Sequence, residues 1–160
     1  SYIAHALARG YTDLYYVNMD TDELIEYHTD DTLGVLTEAR RGSDFCEGCE
    51  RDAKFFVHEE DQDLFVRTMN RDYLEEVLAS GTPYQITYRR IKDDRPFYVE
   101  MTNTRMEDDN RFIVIAVRDI DELMRKRKAE MRIQEERLVY ARLHALTGNF
   151  IVVYVVDPET

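Results

Sequence analysis

Two short segments, Leu14-Tyr-Tyr-Val-Asn-Met19 and Phe112-Ile-Val-Ile-Ala-Val117, are apolar at nearly every position. A strand of that kind has no wet face, so each is expected at the centre of a sheet with cover on both sides. Three other segments alternate instead. Ile25 and Tyr27 alternate with Glu26 and His28, and Ile86 and Tyr88 with Gln85, Thr87 and Arg89, which reads as two edge strands with one wet face each. Phe97, Val99 and Met101 alternate with Tyr98, Glu100 and Thr102. Acidic turns at Asp20-Thr-Asp22, Lys92-Asp-Asp94 and Glu107-Asp-Asp-Asn110 punctuate these runs. Strands are therefore predicted over Leu14–Met19, Leu24–His28, Tyr84–Arg90, Arg95–Arg105 and Arg111–Asp119. A five-stranded antiparallel sheet ordered 2-1-5-4-3 satisfies every pattern. Between Thr29 and Ser80 no strand pattern is read, and the segment breaks into short helices with Ser43 or Asp44, Asp61 and Asn70 as their caps. The fold class is α+β, with the short helices on one face of the sheet.

The charge narrows the function classes. With 21 Lys and Arg against 33 Asp and Glu, the formal net charge is −12, which argues against a surface that grips nucleic acid. The longest apolar run, Phe150 to Val156, is seven residues, where a membrane-spanning helix needs about 20. No basic region followed by an apolar stretch opens the chain, and two cysteines cannot build a disulfide framework. A cytoplasmic module with no membrane segment and no nucleic-acid partner is the expectation.

The charge is also unevenly placed. Residues 1–120 hold 14 basic and 26 acidic side chains, whereas residues 121–146 hold seven basic and five acidic, with no Gly and no Pro. That stretch is filled with strong helix formers, and Gly148 offers a stop. Met124, Met131, Leu138 and Ala145 recur every seven residues, with Arg127 and Gln134 at the other seam positions. The stripe suits a connector helix that pairs with its twin, and it is too thin to hold a dimer alone. A helix over residues 1–10 carrying Ile3 and Leu7 is expected to share that contact, so Ile3, Leu7, Met124, Met131 and Leu138 are the candidate homodimer residues.

Strand, strand, several short helices, three strands and a long exit helix resemble a PAS domain over roughly residues 11–120. Local motifs agree: Val57-His58-Glu59-Glu60-Asp61 resembles the family's His-Pro-x-Asp stretch, Tyr88-Arg89-Arg90 the Tyr-Arg of its third strand, and Val117-Arg118-Asp119-Ile120-Asp121-Glu122 its Asp-Ile-Thr signature. Glu59 stands where the family has Pro, and Asp121 where it has Thr. An offset of 137 lays Leu14-Tyr-Tyr-Val-Asn-Met-Asp20 over Ile151-Val-Val-Tyr-Val-Val-Asp157, as if residues 149–160 began a second copy. The domain plan is thus an N-terminal helix at 1–10, a PAS domain at 11–120, a connector at 121–148 and the start of a second repeat.

The chemistry in the residues themselves is sparse. Cys46-Glu-Gly-Cys49 supplies two ligands where a closed zinc site needs four, and a pair of partly buried thiols on a short helix explains it. His5, His28, His58 and His144 are scattered among acids, and His58 reads as a capping or salt-bridging residue rather than an axial haem ligand. The Asn-Cys-Arg-Phe signature of flavin photosensors is absent around Cys46, so neither haem nor flavin is expected, nor a metal, and no catalytic constellation is present. The resemblance implies a ligand cavity between sheet and short helices, with candidate walls Tyr15 or Tyr16, Asn18, Tyr27, Phe45, Phe65, Tyr73, Ile86, Tyr88, Phe97, Val99 and Met101. It further implies a signal relay through Arg118, Asp119 and Ile120 into the connector. The expected function is a non-enzymatic PAS sensor and dimerisation module of a bacterial-type signalling chain. Its output domain would lie beyond residue 160, a diguanylate cyclase first and a histidine kinase second. A ligand-free protein-interaction module and a small enzyme using Cys46 or a carboxylate pair are the alternatives.

Overall fold

The computed structural model describes residues 10–30 and 35–147. The expected helix at 1–10 and strand at 149–160 lie outside the described residues. The chain divides between Asp121 and Glu122 into two units.

The first unit is built on a six-stranded antiparallel sheet: β1 (Asp13–Asn18), β2 (Leu24–Asp30), β3 (Val35–Gly42), β4 (Tyr84–Lys92), β5 (Arg95–Arg105) and β6 (Phe112–Asp119). Their spatial order is β3-β2-β1-β6-β5-β4. The five-strand order of the sequence reading is corrected by one added strand, β3, on the outer edge of β2. That strand escapes an apolar pattern because it has almost no buried face; only Leu36 packs against other apolar residues, and its partner strand shifts register between Glu26 and Tyr27. Charged edge strands of this kind resist further pairing. Between β3 and β4 come α1 (Phe45–Phe56), a single 3₁₀ turn (Glu59–Asp61), α2 (Gln62–Thr68) and α3 (Arg71–Leu78).

The two central strands behave as their composition requires. On β1 and β6, Val17, Ile113, Ile115 and Val117 face one apolar cluster, while Leu14, Val114 and Ala116 face a second on the opposite side. The first cluster is the main core, where Phe45, Ala53, Phe65, Leu74 and Leu78 of the short helices meet Leu24, Ile86, Tyr88, Val99 and Met101 of the sheet. The parity of β2 is the reverse of the sequence reading. Leu24 enters the main core and carries Glu26 inward with it, 8% exposed, whereas Tyr27 lies on the other face, edge-on to Tyr16 at 5.8 Å.

Local capping also departs in part from expectation. Asn70 Oδ1 accepts from the Tyr73 N–H at 3.1 Å, as a cap should. Neither Ser43 nor Asp44 does this for α1; the carboxylate of Asp22, on a residue with φ of 63°, accepts from the Cys46 N–H at 3.2 Å and also meets Arg71 at 3.0 Å. The turn between β4 and β5 places Asp93 and Asp94 at φ of 51° and 59°, the two left-handed residues of a tight hairpin whose twist matches the strands.

The second unit contains most of α4 (Asp121–Thr147). Its 27 residues correspond to about 40 Å of helix at 1.5 Å per residue. It buries no residue and shows Met131, Leu138, Tyr140 and Leu146 to solvent. Among the described residues no helix is long and apolar enough to cross a membrane.

Candidate functional site

Between the sheet and α1–α2 lies a cavity of about 310 Å³. Every strand contributes to its floor: Tyr15 from β1, Glu26 and His28 from β2, Arg40 from β3, Tyr88 and Arg90 from β4, Met101 from β5, and Ile115 and Val117 from β6. Phe45, Gly48, Cys49, Asp52 and Phe56 of α1, with Phe65 of α2 and Met69 just after it, form the roof.

One half of the wall is apolar and aromatic. Phe65 packs at 5.3 Å from Phe56 and 5.1 Å from Tyr88, and Tyr15 stands 6.2 Å from Phe45. The other half is a charged edge. Glu26 accepts from Arg40 Nε at 2.6 Å, and Asp13 is bonded to His28 Nδ1. The guanidinium of Arg90 lies 5.7 Å from the Phe56 ring and 5.8 Å from the Tyr88 ring, a cation held over π-faces. Its Nε donates to Tyr88 Oη at 3.1 Å and its Nη1 reaches Asp13 only at 3.5 Å. Burial foremost pushes the Tyr15 and Tyr88 phenols up, so both remain neutral.

Four expected wall residues, Phe45, Phe65, Tyr88 and Met101, stand on the cavity, and of the pair Tyr15 or Tyr16 it is Tyr15 that does. Tyr16 and Tyr27 belong to the opposite face, because β1 and β2 alternate with period two. Asn18 is taken by the turn that follows β1, its Oδ1 accepting from the N–H groups of Asp20 at 2.9 Å and Thr21 at 3.3 Å. Tyr73 is bonded to the Tyr84 hydroxyl at 2.9 Å, and Ile86, Phe97 and Val99 pack into the core beside the cavity rather than lining it. The charged edge was missed by a reading that followed aromatics. The signal for Arg90 was present, since Ile86, Tyr88 and Arg90 share one parity on β4.

The cysteines face a different chemistry from the one their spacing suggests. Burial, followed by the Asp22 charge, pushes the Cys46 thiol up to about 12, and burial does the same to Cys49. Both are protonated at neutral pH, and a thiol rather than a thiolate is a poor nucleophile and a poor metal ligand. Among the described residues no three His, Cys, Asp or Glu side chains are grouped to hold a metal ion. His58 caps the 3₁₀ turn, its Nδ1 accepting from the Glu60 N–H at 3.1 Å.

Two segments singled out in the sequence meet at one corner. Asp61 accepts from the Arg89 backbone N–H at 2.8 Å, from its Nε at 2.9 Å and from its Nη2 at 3.0 Å, and Glu60 takes a fourth bond at 2.9 Å. The hydrogen bonds from Arg89 hold the Asp61 carboxyl below the usual carboxylate range. At the end of β6, Arg118 Nε donates to Glu100 at 2.9 Å, and Asp119 Oδ1 accepts from the Asp121 N–H at 2.8 Å. The Ile120 N–H donates to the Tyr98 carbonyl at 2.9 Å, and Asp121 Oδ1 accepts from the Tyr98 N–H at 3.1 Å. The first residue of α4 is therefore tied to both β6 and β5. Of the candidate dimer residues, Met131 and Leu138 are 60% and 57% exposed, Met124 is half-buried, and Ile3 and Leu7 lie outside the described residues.

No family model matches this chain. No curated protein matches it either. A solved structure described as an RNA-binding Light-Oxygen-Voltage receptor is similar at 14% identity with a TM-score of 0.45, over 81% of this chain and 33% of that one. The chain thus spans about a third of that receptor's length. At this identity and score the likeness bears on neither ligand nor activity.

Proposed function

We propose that this chain is a PAS-like sensory module that binds a small molecule between its sheet and its short helices and transmits the event along α4. The observation that carries the reading is the cavity itself. Its volume of about 310 Å³ lies at the lower end of the range for small-molecule sites. Val117 on its floor is two residues before Asp119, whose carboxylate holds the first turn of α4. A ligand that changes how α1 and α2 rest on the sheet changes the setting of β6, and Asp119, Ile120 and Asp121 pass that change to the helix. The exposed Met131 and Leu138 are the contact offered to the twin helix of a homodimer.

Native mass spectrometry of the purified chain tests this reading. The expected spectrum shows two subunits and a retained small-molecule mass. Ultracentrifugation of a chain ending at Asp121 should then show a folded monomer. A full-length monomer, or a dimer unshifted by the truncation, removes the role given to α4.

A further inference from the structure

On the cavity wall, Arg90 Nη2 and the Tyr88 hydroxyl proton have no acceptor among the described residues. Arg90 carries five N–H groups and can never accept a bond. Its Nε is used by Tyr88 and its Nη1 reaches Asp13 only at 3.5 Å, while Nη2 has no acceptor among the described residues. Because arginine cannot accept, Tyr88 must be the acceptor in that pair, and its own O–H proton has no acceptor among the described residues. Tyr88 is 1% exposed, so bulk water does not supply one.

The acids nearby are already engaged. Asp13 is bonded to His28, and Glu26 is paired with Arg40 at 2.6 Å. The Arg90 side chain, 19% exposed and set over aromatic rings with one long ion pair, has room for an anion that completes its shell. A cationic ligand would meet Arg90 and find no unpaired acid among the described residues beside it, and a neutral one would leave the charge as it is. A dianionic phosphate would also face Asp13 and Glu26. A planar monoanion matches the fork of one arginine.

We propose that the cavity takes a small organic carboxylate, its head group on Arg90 and the Tyr88 hydroxyl and its apolar body between Phe45, Phe65, Met69 and Met101. The inference rests on the cavity being a ligand site, and it goes further by assigning the ligand's chemical class and the residues that select it.

The test uses benzoate, 3-phenylpropanoate and hexanoate, each paired with its primary amide, titrated into the full chain and followed by ligand-observed NMR. At least one acid is expected to bind about tenfold more tightly than its amide, the scale of a charge-assisted pair. Arg90→Gln should abolish that preference. Tyr88→Phe, which removes one donor and keeps the guanidinium, should weaken acid and amide alike and leave the preference for the acid standing. Equal binding of acid and amide to the unmodified chain, or a preference that survives Arg90→Gln, overturns the carboxylate assignment and leaves the cavity standing as a site. If none of the six probes binds the unmodified chain at millimolar concentration, the carboxylate assignment falls, and the cavity reading stands or falls with the native mass spectrum. The acid–amide comparison is made on the unmodified chain, so it holds even if Arg90→Gln does not fold.

Discussion

Arg89 turns away from the cavity and gives its guanidinium to Asp61 and Glu60, whereas Arg90, the next residue on the same strand, turns inward and has one good bond and one long one. Parity alone separates them, because successive side chains of a strand point to opposite faces. The outward residue meets carboxylates of the 3₁₀ turn that leads into α2 and fastens that segment to β4. The inward residue meets aromatic rings, a neighbouring hydroxyl and an acid already engaged with His28. On the proposed reading, the completed shell of Arg89 serves the fold and the incomplete one of Arg90 serves a ligand.

If that division is right, breaking the corner should harm the fold far more than altering the cavity. Asp61→Ala removes three hydrogen bonds from Arg89. It should lower stability by about 2–3 kcal/mol in urea melts, the range for charged hydrogen bonds left unmade. A second consequence of the same pair is its dependence on pH. The folded-state pKa of Asp61 is lowered, first by the hydrogen bonds from Arg89. Its contribution is therefore fully present above the usual value of 3.8 and is lost as pH falls through the lowered one. Melts from about pH 5 to about pH 2 should lose stability more steeply in the unmodified chain than in Arg89→Gln. Equal slopes would show that the pair contributes nothing.

The smallest effect on stability is expected inside the cavity. Arg90→Met replaces an incompletely paired, partly exposed charge with an apolar chain and should leave stability within about 1 kcal/mol of the original. The same variant should lose the preference for acids over amides. If Arg90→Met is more damaging to the fold than Asp61→Ala, then Arg90 is a structural residue and the contrast collapses.

How far the sequence revealed this arrangement depended on which faces carry apolar residues. Continuous apolar runs located β1 and β6, because a strand buried on both sides leaves no polar position to confuse the pattern. β3 was invisible for the opposite reason, since its order comes from backbone pairing with β2 and side chains such as Glu38 and Arg41 face solvent. Tyr15 and Tyr16 could not be told apart while both lay in a run with no polar marker, and Asn18, the one polar residue there, belongs to the turn. Glu26 was placed on the wet side because a lone acid in an alternating strand is normally solvated. Its burial depends on Arg40, on a strand the pattern did not show. The aromatic half of the cavity was accordingly more legible than its charged half.

The most direct check is NMR of the full chain labelled at its methionine ε-methyl groups during titration with the tightest carboxylate of the series. Met69 and Met101 line the cavity, and Met131 lies exposed on α4. A carboxylate in the cavity should shift the Met69 and Met101 signals saturably in the unmodified chain and shift them far less in Arg90→Gln at the same concentration. Saturable shifts at Met131 alone, or saturation with both cavity methyls unmoved, would contradict the assignment of this cavity as the ligand site.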